Sequence, residues 1–165
     1  MRICCSDATD LVNDEALELI QQRARITKGD ILLSGTGTIG RTALVVESVI
    51  KWGVKEGVYI LTPDPSLVNA KYLIYYLHTS NARSWLKSQA AGGTVQSVSM
   101  SKLVHMPVPV PSLETQQKVV DILDRFDALT TSLTDGLPAE IEARRQQYEY
   151  YRDRLLSFPR LTAEG

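Results

Sequence analysis

The chain has 165 residues, of which 44% are hydrophobic and 22% charged, and its formal net charge at pH 7 is −1. This length and composition are sufficient for a buried core and predict one domain of about 110 residues followed by a helical arm. Cys4 and Cys5 are adjacent and unaccompanied, which excludes a disulfide framework and a metal site built from four cysteines. No apolar run has the length of a signal peptide or a membrane span, so we expect a soluble cytoplasmic protein that does not enter a membrane.

Charge is distributed unevenly along the sequence. Ten basic residues face four acidic ones between Arg23 and Lys102, a net charge of +6, whereas seven basic residues face ten acidic ones from Leu113 onward, a net charge of −3. A basic domain beside an acidic arm predicts that a polyanion would contact the domain only. On charge alone, the alternative that these side chains merely keep the surface soluble stays open.

The first half of the chain predicts a helix followed by short strands. Residues 10–22 form an amphipathic pattern, and residues 31–34, 41–46 and 58–61 are short apolar runs typical of strands. Between the first two strands lies Gly35-Thr-Gly-Thr-Ile-Gly40, which has the glycine spacing of a dinucleotide-binding fingerprint. That fingerprint requires a helix next, not a strand. We therefore expect a tight hairpin and no cofactor. Two alternatives stay open: a loop that also offers backbone amides to a phosphate, and a nucleotide-dependent enzyme.

Two short helices are predicted at residues 68–77 and 81–89, and Arg83 and Lys87 lie one turn apart on the second. A glycine-led loop of hydroxyl and amide residues follows at 90–99. Such a loop can approach a sugar-phosphate backbone closely, although an ordinary connection has the same composition. His78 and His105 lack the neighbouring acids or cysteines that catalysis or zinc would require, which favours structural roles.

Three alternating prolines, Pro107, Pro109 and Pro111, predict an extended segment that leads into a helix with Ser112 as its N-cap. The helical region 112–158 is divided by a break near 135–138, where Pro138 favours a new helix start, and 159–165 form a tail. Apolar residues recur every three or four positions in both helices, which predicts a surface for a partner helix unless the helices fold back on their own domain. This stripe consists of Val119, Ile122, Phe126, Leu129, Leu133, Ile141, Tyr148, Tyr151 and Leu155.

Four segments, at residues 28–41, 72–77, 93–99 and 108–118, resemble in sequence and order the specificity subunits of type I restriction-modification systems. Residues 137–156 are similar to the spacer helix of that family. The resemblance implies an α+β fold, with a target recognition domain at 1–111 and a coiled-coil-type helical arm. It also implies a noncatalytic subunit without cofactor that reads one half of a split duplex DNA target and docks modification subunits through its helices.

The chain departs from the family pattern in two ways. Specificity subunits usually carry two recognition domains and two helices, whereas this chain has one of each, so pairing would come from a second copy or from another specificity chain. The recognition domain is also shorter than usual on its N-terminal side. A second hypothesis is therefore an assembly-only subunit, which pairs with specificity or modification subunits without reading DNA.

The candidate DNA contacts are the basic, hydroxyl and amide side chains of the basic domain. Cations and hydroxyl groups bind phosphates, and polar side chains read the edges of bases. The candidates are Arg25, Lys28, Thr36, Thr38, Arg41, Lys87, Thr94, Gln96, Ser97 and Lys102.

Overall fold

The computed structural model describes residues 2–3, 12–46, 52–131 and 138–158. Within these ranges there are four strands and six helices, with three strands in succession followed by five helices, which confirms the predicted α+β class. The strands are β1 (Arg2–Ile3), β2 (Ile31–Ser34), β3 (Thr42–Val45) and β4 (Val58–Leu61). The helices are α1 (Asp14–Arg23), α2 (Ala70–Leu77), α3 (Ser80–Gln89), α4 (Met100–Leu103), α5 (Leu113–Thr131) and α6 (Pro138–Leu155).

The strands form one sheet in the order β1-β3-β2-β4. β2 pairs with both β3 and β4 in antiparallel fashion, and β1 pairs with β3 in parallel. Successive side chains of a strand point to opposite faces, so Leu32 and Leu33 enter different cores. Leu32 packs with Ile26 and Val45 on one face, and Leu33 packs with Leu86 on the other. Trp52 packs against the first of these cores, as an aromatic packing residue would.

The proline segment is held against α2 by two buried tyrosines. The hydroxyl of Tyr72 donates to the carbonyl of Pro109 at 2.9 Å, and that of Tyr76 donates to the carbonyl of Pro107 at 2.6 Å. Prolines lack an N–H but keep a carbonyl acceptor, so the backbone of Pro107 and Pro109 can form hydrogen bonds only through its oxygens. Burial raises the pKa of Tyr72 from its ordinary value near 10 to about 12, so its hydroxyl stays protonated into the alkaline range.

A buried amide fixes the start of α5. Gln116 is fully buried, and its Oε1 accepts from the amide of Asn69 at 2.8 Å. Its Nε2 donates to the carbonyls of Leu67 and Pro111 at 2.9 and 2.8 Å. The predicted cap at Ser112 is confirmed, because its Oγ accepts from the amide of Thr115 at 3.3 Å. The helix therefore starts at a position set by both its cap and its contact with α2.

α5 and α6 lie side by side in opposite directions and share a core with α2. The first half of α5 meets Leu156 just beyond α6, while Phe126, further along α5, stacks on Tyr151 with ring centroids 5.8 Å apart. Val119 is 6% exposed in this intramolecular core, together with Tyr72. Val119 is therefore removed from the predicted partner surface, because α2 of the same chain already covers it. The domain and the arm predicted to divide at residue 111 are joined by this common core.

Candidate nucleic-acid interface

The glycine-rich segment between β2 and β3 is a β-hairpin connection. The amide of Ser34 donates to the carbonyl of Arg41, and that of Gly40 donates back to the carbonyl of Ser34, both at 2.9 Å. Gly37 and Gly40 have φ angles of +70° and +87°, which glycine adopts without the steric cost of a Cβ. The predicted hairpin is confirmed. The dinucleotide fingerprint is wrong for this segment, because an antiparallel strand follows it and no helix N-terminus is available for a pyrophosphate.

A second loop, residues 91–97, is joined edge to edge with this hairpin. Ala91 and Ser97 exchange two backbone hydrogen bonds of 2.9 and 2.8 Å, which close the loop at its base. Thr36 in turn forms an antiparallel bridge with Ser97, and the amide of Gly37 donates to the carbonyl of Gln96 at 2.9 Å. We call the joined segments 35–40 and 91–97 the loop clamp. Backbone bonds hold the two loops together, which leaves side chains such as Thr36, Thr38, Thr94 and Gln96 exposed.

Tyr59 of β4 supports the loop clamp from below. Its hydroxyl donates to the carbonyl of Val98 at 2.5 Å, and the amide of Val98 donates to the carbonyl of Gly35 at 2.9 Å. A Cβ added to Gly35 would lie 2.1 Å from the Tyr59 ring, so only glycine fits above it. Val98 is 1% exposed and anchors the second loop in the core. The base of the clamp is thus fixed while its outer residues remain exposed.

Three cations stand beside the loop clamp. Arg41 follows the hairpin directly, and Arg83 and Lys87 lie one turn apart on α3; all three side chains are exposed. Together with Gly40 and Leu86 they line a depression of about 220 Å³. Like charges held this close create a positive potential that attracts phosphate groups. We call these three side chains the basic rim.

The start of α3 is tied to the end of α6. Arg152 is 6% exposed, and its guanidinium donates to the carboxylate of Asp153 from Nε at 3.0 Å and from Nη2 at 2.7 Å. That carboxylate also accepts from the amide of Ser80 at 3.3 Å. Burial opposes ionisation of Asp153, but the hydrogen bonds from Ser80 and Arg152 outweigh it and lower its pKa. The second arm helix therefore holds the helix that carries Arg83 and Lys87.

His78 is a half-buried structural residue next to the basic rim, which agrees with its predicted role. Its Nε2 lies 2.7 Å from the hydroxyl of Thr42 at the start of β3. Burial, and then the positive charge of Arg83, lower the pKa of His78 to about 4. At neutral pH the imidazole is uncharged and joins α2 to the sheet.

The structure brings together seven of the ten predicted DNA contacts, while Arg25 and Lys28 lie apart. These two side chains are exposed but precede β2, so they lie at the end of that strand opposite the clamp. The four residues of β2 separate the two ends by roughly 13 Å. Lys102 donates from Nζ to the carbonyl of Gln89 at 2.9 Å, so it satisfies an acceptor in the last turn of α3. The seven that meet at the clamp and rim are Thr36, Thr38, Arg41, Lys87, Thr94, Gln96 and Ser97, all of them exposed.

Arg83 is a rim residue absent from the sequence-based candidates. The signal was present, since Arg83 precedes Lys87 by four positions and such residues share a helix face. Tyr59, which supports the clamp, carried no comparable signal, because its partners Gly35 and Val98 are distant in sequence.

The residues of the predicted partner stripe have different environments. Ile122 and Tyr151 are each 39% exposed, and Phe126 is half-buried against Tyr151. Tyr148 and Leu155 are half-buried against the core shared by α2 and α5, and burial raises the pKa of Tyr148 to about 12. The remaining predictions lie outside the described residues: Leu133, the tail 159–165 and the side chains of Leu129 and Ile141.

Within the described residues, no group of three or more histidine, cysteine, aspartate or glutamate side chains is placed to hold a metal ion. In the same part of the chain, no helix is long and apolar enough to cross a membrane.

A patch of clustered cations, such as the basic rim, is one feature that nucleic-acid-binding proteins share. The chain belongs to the type I restriction modification DNA specificity domain family, whose sequence profile matches residues 9–143. The resemblance predicted from the four segments is therefore confirmed.

Two curated relatives show how much of a specificity subunit the chain spans. A type I restriction enzyme specificity subunit of Escherichia coli is 46% identical over 90 residues, which cover 54% of this chain and 22% of that protein. A Haemophilus influenzae protein named as a type I restriction enzyme specificity subunit is 36% identical over 146 residues, which cover 88% of this chain and 36% of that protein. The chain thus spans between about a fifth and about a third of the relatives it matches.

Solved structures share the fold. The specificity subunit of a type I restriction-modification system from M. genitalium matches with a TM-score of 0.53 and 19% identity, over 67% of this chain and 29% of that one. A chain from a structure of type I complex assembly and conformational transition matches with a TM-score of 0.55 and 21% identity, over 79% of this chain and 31% of that one. The arrangement of sheet and helices is therefore that of specificity subunits.

Proposed function

We propose that this chain is a noncatalytic DNA-recognition module of a type I restriction-modification complex, which binds one half of a split duplex target. The observation that carries the proposal is the position of the basic rim beside the loop clamp. Family membership supports the DNA-recognition role, and the joined loops beside three cations support our choice of this part of the surface.

Two kinds of contact would divide the work at this surface. Arg41, Arg83 and Lys87 would bind backbone phosphates and supply the salt-dependent part of the affinity. Hydroxyl and amide side chains on the clamp, such as Thr94 and Gln96, would reach base edges and supply sequence preference. Because the clamp is constrained at its base, those side chains would meet DNA with little ordering cost.

The helical arm would provide the protein contacts. We propose that exposed positions of the α5–α6 pair dock modification subunits and pair with a second copy or another specificity chain. The support is an aromatic patch on this pair, where the ring of Tyr151 contacts those of Phe126 and Tyr150, and Tyr150 and Tyr151 are 59% and 39% exposed. Such amphipathic rings are enriched in protein interfaces.

A salt series tests the DNA-binding proposal. Binding to a pool of random duplexes is measured for the chain alone and with its modification subunit. The salt concentration is varied about sixfold, from about 50 to about 300 mM. Replacing Arg83 and Lys87 together by glutamine removes two phosphate contacts. It should lower the slope of log affinity against log salt by about 1.8, at about 0.9 per phosphate.

The matched control replaces Arg25 and Lys28, which carry the same charge at the far end of β2, and should leave that slope nearly unchanged. Equal slopes for the two double variants would refute the location of the phosphate contacts. Stable association with the modification subunit without any salt-dependent DNA binding would instead assign the chain to assembly alone.

A further inference from the structure

Val95 is an exposed apolar side chain at the outer end of the loop clamp. It is 61% exposed, and the neighbouring loop residues Thr94 and Gln96 are exposed and uncharged. Single exposed valines are ordinary on protein surfaces and need no explanation by themselves. The position of Val95 is what distinguishes it, because the loop that carries it is closed by hydrogen bonds and joined to the hairpin beside the basic rim.

The backbone of this loop is held by hydrogen bonds at residues on either side of Val95. Gly92 has a φ of +127°, and a Cβ there would lie 2.4 Å from the carbonyl oxygen of Val95. Ala91 and Ser97 close the loop below it, and Gln96 is bonded across to Gly37. A branched side chain presented from a fixed backbone has one strongly limited set of rotamers, so it offers a defined apolar surface to a ligand.

Duplex DNA offers one apolar group that matches such a surface. In the major groove only thymine presents a methyl group, and it is read by contact with small apolar side chains. Side chains that wedge between base pairs from the minor groove are longer or larger, such as phenylalanine, leucine or methionine. Valine is not among the usual wedge residues, and the flanking threonine and glutamine are suited to hydrogen bonds with neighbouring base edges.

We propose that Val95 is a specificity-determining residue that contacts the 5-methyl group of a thymine in the target half-site. This inference rests on the proposed DNA-recognition function and assigns one apolar contact within it. A methyl contact of this kind is worth about a 4-fold change in affinity. The contribution should be independent of salt, because Val95 carries no charge.

The test removes the methyl group from either side of the contact. A target is selected from random duplexes with the chain in complex with its modification subunit, and each thymine is then replaced singly by deoxyuridine, which lacks only the 5-methyl group. We expect one position where this replacement weakens binding about 4-fold for the unmodified chain and leaves binding by Val95→Ala unchanged.

Val104→Ala is the matched control, since Val104 is 68% exposed but lies outside the loop clamp, just after α4. This variant should keep the full response to deoxyuridine. A selected target in which no thymine methyl couples to Val95, or which contains no thymine, would overturn the proposal while leaving salt-dependent, sequence-selective binding intact. Failure to recover any salt-dependent binding would refute the DNA-recognition function itself, and this inference with it.

Discussion

Replacing Gln116 by leucine would show how strongly one buried amide fixes the start of α5. Leucine has a similar size but makes none of the three hydrogen bonds, so the amide of Asn69 and the carbonyls of Leu67 and Pro111 all lose their partner. At about 1 kcal/mol net for each bond, the free energy of unfolding should fall by about 3 kcal/mol. That loss is a large fraction of the stability of a small domain.

Urea unfolding followed by tryptophan fluorescence measures the effect. With a denaturant slope of about 2 kcal/mol per molar, the midpoint should fall by about 1.5 M. The control is Gln117→Leu, one position further along α5, where the exposed amide bonds to the Asn69 side chain and to Asp121 on the surface. This control should change stability by less than about 0.5 kcal/mol. If both variants behave alike, the buried amide does not fix the helix and our account of this junction is wrong.

Two further predictions concern the sheet and its surroundings. Gly35→Ala should destabilise the protein by about 2 kcal/mol in the same urea assay, because the new Cβ displaces the Tyr59 ring. In the control Gly93→Ala the new Cβ meets no atom within 4 Å, so this variant should be neutral. Equal effects of the two changes would contradict the close approach of Tyr59 to Gly35. The free energy of unfolding should decrease as the pH falls from about 6.5 towards about 4, because the His78 imidazole binds a proton in the unfolded chain but not in the folded one. Allowing for partial exposure, the loss between pH 7.5 and 5 should be about 1 kcal/mol. His78→Gln should remove this part of the pH dependence, and a variant with an unchanged dependence would refute the assignment.

Local patterns in the sequence predict the individual elements well. The predicted bounds of β2 and β4 agree with the structure, and Pro138 opens α6 as expected. α1 starts at Asp14 because the Oδ1 of Asn13 accepts from the amide of Ala16 at 2.9 Å, a stronger start signal than the earlier apolar residues. These features depend on neighbouring residues, which is why the sequence alone suffices for them.

Long-range contacts could not be predicted in the same way. The bridge between Thr36 and Ser97 joins single residues far apart in sequence, and such a pairing leaves no periodic pattern. The apolar stripe of α5 was compatible with two partners, a second chain or α2 of its own chain, because both bury the same helix face. Burial of Val119 beside Tyr72 shows which one covers this part of the stripe.

The loop clamp separates the parts of the protein that maintain its shape from the parts that would be altered by selection. Its two loops are joined through backbone groups of Gly37, Gln96 and Ser97, and backbone bonds do not depend on which side chain a residue carries. Exposed positions such as Thr38 and Val95 can therefore be randomised in a library with little risk of unfolding the domain. A surface of this kind can acquire a new preference through single substitutions, without a compensating change in the core.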